Sequence, residues 1–386
     1  MKRSKPVLRA GLVAGAVTAL FAATAGTAAA QVVVKIGHVA PLTGSIAHLG
    51  KDNEAGAILA IEDLNAKKIK LGGKDVRFEL MSEDDGADAK QGTSAAQKLV
   101  DAKVAGVIGH LNSGTSIPAS KIYSDAGIPQ ISPSATSPKY TQQGFKTTFR
   151  VVANDGQLGG TLGRYAVKEI KAKSIAIIDD RTAYGQGVAD EFRKSVVAAG
   201  GKVVGREFTN DKATDFNAIL TKLKASNPDL VFYGGMDAVG GPMLRQMKQL
   251  GINAKFMGGD GICSPKLAEL AGGGMSDGQV VCAEAGGITP DKEAAMAAWR
   301  ERFKKRFNAD VQIYAPYVYD ATMTLAAAMQ KADSADPKKY LPVLAKISHD
   351  GVTGKISFDN KGDINNGSLT LFTYKGGKRD QIGVVK

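Results

Sequence analysis

The sequence predicts an α/β protein of two doubly wound lobes, each a parallel sheet with helices on both faces. The chain has 386 residues, 44% of them hydrophobic and 23% charged, so it is too long for one small core and too apolar for a disordered polymer. From residue 32 onward, strand-like and helix-like segments alternate, which is typical of parallel strands joined by helices. The alternation restarts near residue 174, which indicates a second lobe of similar design.

Residues 1–30 have the pattern of a secretory signal peptide rather than of a folded element. They contain four basic residues and no acidic one, then an apolar stretch at about 10–23, and they end in Ala28-Ala29-Ala30. An uncleaved membrane anchor is the alternative, although the stretch is shorter than the roughly 20 residues that span a bilayer. Cleavage after Ala30 removes four of the 50 basic residues, so the net charge falls from +12 to +8. We therefore expect a periplasmic protein of 356 residues that is not inserted in the membrane.

The mature chain contains two cysteines, Cys263 and Cys282. Outside the cytoplasm they can oxidise to a disulfide, which would close a loop of 18 residues. Chain entropy suggests about 3 kcal/mol of stabilisation for a loop of that length. A pair of buried free thiols is the alternative.

The first lobe begins with a series of five strand-like segments. Between the first strands lie two amphipathic helices, at 50–66 and 88–100, the second with Asp88 as its predicted N-cap. The predicted strands are 33–39, 76–81, 104–108, 128–132 and 147–151.

The second lobe repeats this pattern and is followed by a different ending. Its predicted strands are 174–178, 202–208, 230–233 and 255–257, with helices after Tyr184, Asp215, Ala238 and Pro265. Three further helices are predicted near 291–307, 315–331 and 337–346. A strand pair near 351–358 and 367–374 is expected to close the chain.

Motifs and charge distribution argue against several classes of function. The sequence contains neither HExxH nor GxxxxGK[ST], and its four histidines are widely separated. The densest basic run, at 300–306, shares a helical segment with Trp299 and Phe303, which is typical of the solvated face of an amphipathic helix. We therefore expect no catalysis, no cofactor, no metal and no nucleic-acid partner. A secreted α/β hydrolase is the alternative among the enzymes.

Two polar loops follow neighbouring strands of the first lobe, at 109–116 and 132–138. Both lie at the carboxyl ends of parallel strands, where open α/β sheets bind ligands. Their hydroxyls and N–H groups near a helix N-terminus suit an anion, although N-capping explains the same residues. Asp260 has the corresponding position in the second lobe, where it is either a cation ligand or a turn residue. An anion site and an acid on opposite walls of a cleft would together suit a zwitterion.

At these loops the sequence resembles the Leu/Ile/Val-binding family of type I periplasmic binding proteins. The matching segments occur in unbroken order over nearly all of 31–386. They are Lys35-Ile36-Gly37, Pro41-Leu42-Thr43-Gly44, Gly50 with Glu54-Ala55-Gly56-Ala57, Asp84-Asp85, Val107-Ile108-Gly109-His110, Pro118-Ala119-Ser120, Ile131-Ser132-Pro133 with Ala135-Thr136, Tyr184-Gly185-Gln186-Gly187, Tyr233-Gly234-Gly235, Phe256-Met257-Gly258, Phe358-Asp359 and Lys361-Gly362-Asp363. The resemblance implies two lobes joined by three hinge crossings, namely 31–153 plus 284–353 and 154–283 plus 354–386.

The resemblance also implies a role for individual residues in the cleft. Ser113 and Thr136 match the family's carboxylate ligands, and Ser134, Thr136 and Asp260 match the positions that hold the ammonium group. Asp260 stands where the family has a glutamate. Tyr184 matches a tyrosine that closes the cleft, whereas Leu49 and Met236 replace aromatic residues of the side-chain pocket.

The function that the resemblance implies is solute binding for an ABC importer. We expect a monomer that binds an aliphatic, branched-chain type L-amino acid between its lobes and delivers it to the membrane permease. Two alternatives remain within the same fold, a binder of another small carboxylate or amide (an aromatic acid, an amide or urea) and a sensory receptor. Asp260 argues against a ligand without a cation, because its charge would then have no partner.

Overall fold

Two large sheets organise residues 31–385, the part of the chain that the computed structural model describes. The first sheet has six strands, β1 Val32–Ala40, β2 Lys70–Leu71, β3 Lys74–Asp84, β4 Gly106–Gly109, β5 Gln130–Ser132 and β6 Thr148–Arg150. They lie in the order β2-β3-β1-β4-β5-β6, and every neighbouring pair except β2 and β3 is parallel. Strand β1 is central, which explains its nearly continuous burial from Val34 to Ala40.

The second sheet has seven strands and the same parallel core. They are β7 Ser174–Asp179, β8 Lys202–Phe208, β9 Leu230–Gly234, β10 Lys255–Gly258, β11 Val280–Glu284, β14 Leu369–Lys375 and β15 Lys378–Val385. Their order is β15-β14-β11-β10-β9-β7-β8, and β14 and β15 are antiparallel additions at one edge. A small separate hairpin joins β12 His349–Asp350 to β13 Lys355–Ile356.

Eleven α-helices connect the strands of residues 31–385. They are α1 Ala47–Ala66, α2 Ala89–Asp101, α3 Ser113–Asp125, α4 Asp155–Lys168, α5 Ala183–Ala198, α6 Asn217–Lys224, α7 Asp237–Gln249, α8 Leu267–Leu270, α9 Glu293–Phe307, α10 Ala315–Lys331 and α11 Pro337–Leu344. Short 3₁₀ turns span Pro138–Tyr140, Asp260–Ile262 and Pro290–Lys292. The parallel sheets in two lobes confirm the predicted α/β fold class.

Local signals account for several of these elements. Asp88 caps α2, since its Oδ1 accepts the N–H groups of Lys90 and Gln91 at 3.0 and 2.9 Å. Helix α1 packs tightly on the start of α10, because a Cβ at Gly56 would lie only 2.3 Å from the Ala315 carbonyl oxygen. The close approach at Gly56 holds α1 against α10, which in turn contacts β4 and β5 of the first sheet.

The ending of the chain differs from the prediction of a strand pair at 351–358 and 367–374. Only Lys355–Ile356 of the first segment is a strand, and it pairs with β12. The second segment is β14, but it pairs with β11 and β15, two strands that the prediction missed. Strand β15 lies at the sheet edge and its polar sequence gives no alternation, whereas the apolar run of β11 carried a strand signal that was overlooked.

The chain passes between the two sheets more than once. It leaves the first sheet after β6, builds β7 to β11, and returns with α10, which contacts α1, β4 and β5. It then adds β14 and β15 to the second sheet. The boundaries that we predict for these passages, near 153, 284 and 353, stay a prediction.

The predicted signal peptide at 1–30 lies outside the described residues. Within residues 31–385, no helix combines the length and the apolar character that a membrane crossing requires.

Candidate functional site

A narrow pocket with a volume of about 10 Å³ lies between the two sheets. It adjoins a wider cleft of about 270 Å³, which shares Asn112, Tyr184 and Met236 with it. Residues after β4 and β5 together with Tyr314 form one wall, and residues after β7, β9 and β10 form the other. The lining residues are Leu111, Asn112, Ser113, Ser134, Tyr184, Met236, Asp260 and Tyr314. Five residues predicted from the sequence therefore line this one pocket, namely Ser113, Ser134, Tyr184, Met236 and Asp260.

Ser113 lies at the start of α3, where the first N–H groups of the helix have no partner within it. Its hydroxyl oxygen accepts the backbone N–H of Ser137 at 3.1 Å, which joins the two polar loops. The hydroxyl proton remains to donate, and Ser113 is 1% exposed. A helix N-terminus with a hydroxyl donor is suited to a carboxylate.

The second loop is fastened to the first by hydroxyl groups. Ser132 donates to the His110 carbonyl oxygen and accepts from the Ala135 N–H, both at 2.9 Å. Ser134 donates to the Leu111 carbonyl oxygen at 3.1 Å. The fully buried hydroxyl of Thr136, in contrast, has no hydrogen-bond partner of normal geometry among residues 31–385. Thr136 is therefore the member of this loop whose hydroxyl is left for a ligand.

Arg150 supports the same loop from below, a contact that sequence reasoning missed. Its buried guanidinium donates to the carbonyl oxygens of Ala135 and Ser137 at 2.9 Å each and pairs with Asp363. Burial acts to raise the pKa of Asp363, but the charge and hydrogen bonds of Arg150 outweigh it and lower that pKa. The ion pair thus fixes two carbonyl groups of the loop, and with them the direction of its N–H groups.

Asp260 supplies the negative charge of the opposite wall. It begins the 3₁₀ turn after β10 and is 2% exposed. Its Oδ2 accepts the Tyr314 hydroxyl at 2.9 Å, while its Oδ1 has no partner within the described part of the chain. Burial raises the pKa of Asp260 to about 6, and the hydroxyls of Tyr184 and Tyr314 oppose that shift. A ligand ammonium group would provide the counter-charge that the carboxylate lacks.

Tyr314 was not predicted, and a buried carboxylate on α1 sets its position. Asp52 accepts the backbone N–H groups of residues 312–315, with 2.8 Å to Tyr314 N. Burial raises the pKa of Asp52, and these four hydrogen bonds oppose the shift. The acid in α1 therefore places the Tyr314 side chain against Asp260 across the pocket.

A second bridge links α1 to the other lobe beside the pocket. His48 Nε2 lies 2.7 Å from Asp237 Oδ2, and Ser264 also donates to that oxygen. Asp237 is the first residue of α7 and follows Met236 of the pocket wall. Leu49, next to His48, is fully buried in the core and does not lie in the pocket lining, so its predicted contact with a ligand stays a prediction.

Cys263 and Cys282 form a disulfide, as predicted, with their Cα atoms 5.4 Å apart. The bond ties the segment after the Asp260 turn to β11. It therefore braces the wall that carries Asp260.

One segment matches the GxSxG pattern of α/β hydrolases, but it is not placed where that pattern supports catalysis. Residues 274–278 read Gly-Met-Ser-Asp-Gly, which fits GxSxG, but they lie in a turn before β11 rather than between a strand and a helix. Within residues 31–385, no group of three histidine, cysteine or acidic side chains is arranged to hold a metal ion.

Comparisons with known proteins agree with this geometry. Residues 33–379 match the family model described as periplasmic binding protein. The leucine-, isoleucine-, valine-, threonine-, and alanine-binding protein of Pseudomonas aeruginosa is 35% identical over 342 residues, which cover 88% of this chain and 90% of that protein.

Two solved structures share the fold. The branched-chain amino acid transporter substrate binding protein of Streptococcus pneumoniae, solved with isoleucine, has a TM-score of 0.83 and 27% identity, covering 92% of this chain and 99% of its own. A solute binding protein from R. palustris in complex with benzoate has a TM-score of 0.81 and covers 91% and 96%, but at 21% identity it shows the fold alone. This family consists of solute-binding proteins of transporters rather than enzymes. The chain belongs to the periplasmic binding protein family.

Proposed function

We propose that the protein binds an aliphatic L-amino acid of the branched-chain type in the pocket between its lobes. The observation that carries this proposal is the pair of polar groups in the pocket lining, Ser113 at the start of α3 and Asp260 opposite, whose Oδ1 has no partner among residues 31–385. Thr136 lies outside that lining, in the loop whose next residue, Ser137, donates to Ser113. Ser113 and Thr136 would bind the carboxylate. Thr136, Asp260 and the Ser134 carbonyl oxygen would bind the ammonium group.

The apolar part of the lining favours an aliphatic side chain. Leu111 on one wall and Met236 and the ring of Tyr184 on the other line the same pocket as the polar groups. Burying an aliphatic side chain there would contribute roughly 1.5–3 kcal/mol. The relative from Streptococcus pneumoniae was solved with isoleucine, and the relative from Pseudomonas aeruginosa is named for binding five amino acids, which supports the same chemistry.

Delivery to the permease of an ABC importer is the second part of the proposal. The lobes would close on the amino acid, and the closed monomer would then dock on the membrane subunits from the periplasm. The relative from Streptococcus pneumoniae is called a transporter substrate binding protein, which supports this assignment.

Isothermal titration tests the ligand class directly. The protein is unfolded and refolded to remove ligand carried through purification, and it is then titrated with Leu, Ile, Val, Thr, Ala, benzoate and urea. We expect heat with the aliphatic amino acids. Heat with benzoate or urea and with none of the amino acids would refute the assignment.

Uptake of labelled leucine by cells that lack the gene for this chain tests delivery. We expect uptake to fall and to return when the gene is restored. Unchanged uptake, together with confirmed leucine binding by the purified protein, would favour a sensory role over transport.

A further inference from the structure

Asp155 lies behind the predicted ligand loop and has no part in the site described above. It is the first residue of α4, and its backbone N–H donates to the Thr136 carbonyl oxygen at 2.8 Å. It therefore directly adjoins the residue whose hydroxyl is left for a ligand. Its side chain packs against α5, the helix that begins beside Tyr184, because a Cβ at Gly187 would lie 2.5 Å from Asp155 Oδ2.

The carboxylate of Asp155 is buried, and the neighbouring Thr136 hydroxyl is the one side-chain group within residues 31–385 that stabilises it by hydrogen bonding. The residue is 0% exposed, and neither carboxylate oxygen has a hydrogen bond of normal geometry among residues 31–385. A carboxyl group in such surroundings is destabilising unless something compensates it. Asp155 contrasts with Asp52 and Asp320, buried acids whose oxygens accept several backbone N–H groups.

The charges around Asp155 do not supply that compensation. Asp260 and Glu191 are acidic, and Tyr184 is the neutral group that faces both aspartates. The basic neighbour is Arg150 of β6, whose guanidinium is already bound to Asp363 and to two carbonyl oxygens. Burial raises the pKa of Asp155 to about 8, with the nearby Thr136 hydroxyl opposing the shift and Asp260 adding to it.

We propose that Asp155 is a second acidic determinant of ligand specificity, which together with Asp260 makes a primary ammonium group obligatory in the ligand. This inference rests on the proposed amino-acid-binding function. An ammonium group at Thr136 and Asp260 brings the positive charge that the Asp155 region lacks. A simple carboxylate of the same shape leaves two buried acids without a counter-charge and adds a third.

The proposal predicts that ligand binding releases a proton from Asp155. Before binding, Asp155 holds a proton at neutral pH, and the arriving ammonium group lowers the pKa of the carboxyl so that the proton is released. Affinity for an amino acid therefore rises between pH 6.5 and 8, by up to about tenfold per pH unit for one proton released.

The test compares leucine with isocaproate, which is leucine without its amino group, in the wild-type protein and in Asp155→Asn. We expect Asp155→Asn to weaken leucine binding about tenfold or more and to change isocaproate binding by less than threefold, since only leucine carries the cation. A purely structural role would weaken both ligands by the same factor. The matched control is Glu191→Gln, a partly exposed acid on α5 for which we expect less than a threefold change for either ligand.

Titration of leucine at pH 7.5 in phosphate and in Tris gives a second readout, the number of protons released. We expect proton release by the wild-type protein and a smaller release by Asp155→Asn. Equal proton release and equal leucine affinity in the two proteins would overturn the role of Asp155 while leaving amino-acid binding intact. Absence of leucine, isoleucine and valine binding by the wild-type protein would instead overturn the proposed function itself.

Discussion

Thr136→Val isolates the contribution of one buried hydroxyl to ligand binding. The Thr136 side chain is fully buried and its hydroxyl has no hydrogen bond of normal geometry in residues 31–385, so valine removes a polar group that acts in the fold only on the neighbouring Asp155 carboxyl. Leaving a buried hydroxyl without a partner costs about 1–3 kcal/mol. We therefore expect the free energy of unfolding of the ligand-free protein to stay the same or to increase by about 1 kcal/mol.

The same substitution should weaken ligand binding strongly. The hydroxyl would hydrogen-bond charged groups of the amino acid, and such bonds contribute about 1.5–3 kcal/mol, which corresponds to about 10-fold to 150-fold in the dissociation constant. Isothermal titration with leucine measures the affinity, and urea unfolding measures the stability. The expected signature is a loss of affinity without a loss of stability.

Thr373→Val is the matched control for this experiment. Thr373 is also a buried threonine, but its hydroxyl donates to the Val280 carbonyl oxygen at 2.8 Å, far from the loops of the pocket. We expect it to lose about 1 kcal/mol of stability and to bind leucine normally. Leucine affinity within threefold of wild type in Thr136→Val would refute the role of the hydroxyl, and a stability loss above about 2 kcal/mol would show that the fold uses it.

Three further predictions concern the remaining walls of the pocket. Asp260→Asn should weaken leucine binding at least about tenfold. In the wild-type protein leucine affinity should fall as the pH drops through about 6, because Asp260 takes up a proton there, and Asp260→Asn should show a smaller fall. Titrations at pH 5 and 7.5 check both results. His48→Gln weakens the contact with Asp237 across the cleft, so leucine should dissociate about threefold to tenfold faster in stopped-flow experiments, with unfolding by urea unchanged within about 1 kcal/mol. Replacing Cys263 and Cys282 with serine should reduce the free energy of unfolding by about 3 kcal/mol, while leucine affinity stays within about threefold because the bond lies outside the pocket lining. A larger affinity loss would mean that the disulfide sets the position of Asp260.

The parallel core of both sheets could be predicted because each strand carries its own signal. Strand β8 at Lys202–Phe208 has the predicted bounds, and the other predicted strands of the parallel cores lie within three residues of them at each end. Strands β14 and β15 depend on partners instead. The pairing of β14 with β11 brings together segments about 90 residues apart, and no local periodicity encodes that choice.

The predicted site depended on the same distinction between local and distant signals. Ser113 and Asp260 follow strands directly, and the carboxyl ends of parallel strands meet at one edge of a sheet, so the sequence and the resemblance together predicted them. Tyr314 lies 54 residues from Asp260 and is placed by hydrogen bonds from its backbone to Asp52 on another helix. Asp155 has the sequence of an ordinary acidic first turn, and the burial of its carboxyl becomes visible only once α4 is packed against α5.

The use of the two Asp260 oxygens bears on how the lobes can close around a ligand. Tyr314, on the side of the first sheet, already holds Oδ2, whereas Oδ1 has no partner in the described structure. An ammonium group that binds Oδ1 therefore does not displace the hydroxyl, and both bridges beside the pocket, Tyr314 to Asp260 and His48 to Asp237, can persist in the complex. The free energy of the new ion pair then adds to the contacts between the lobes instead of replacing one of them. This arrangement favours the closed complex over the closed protein without ligand.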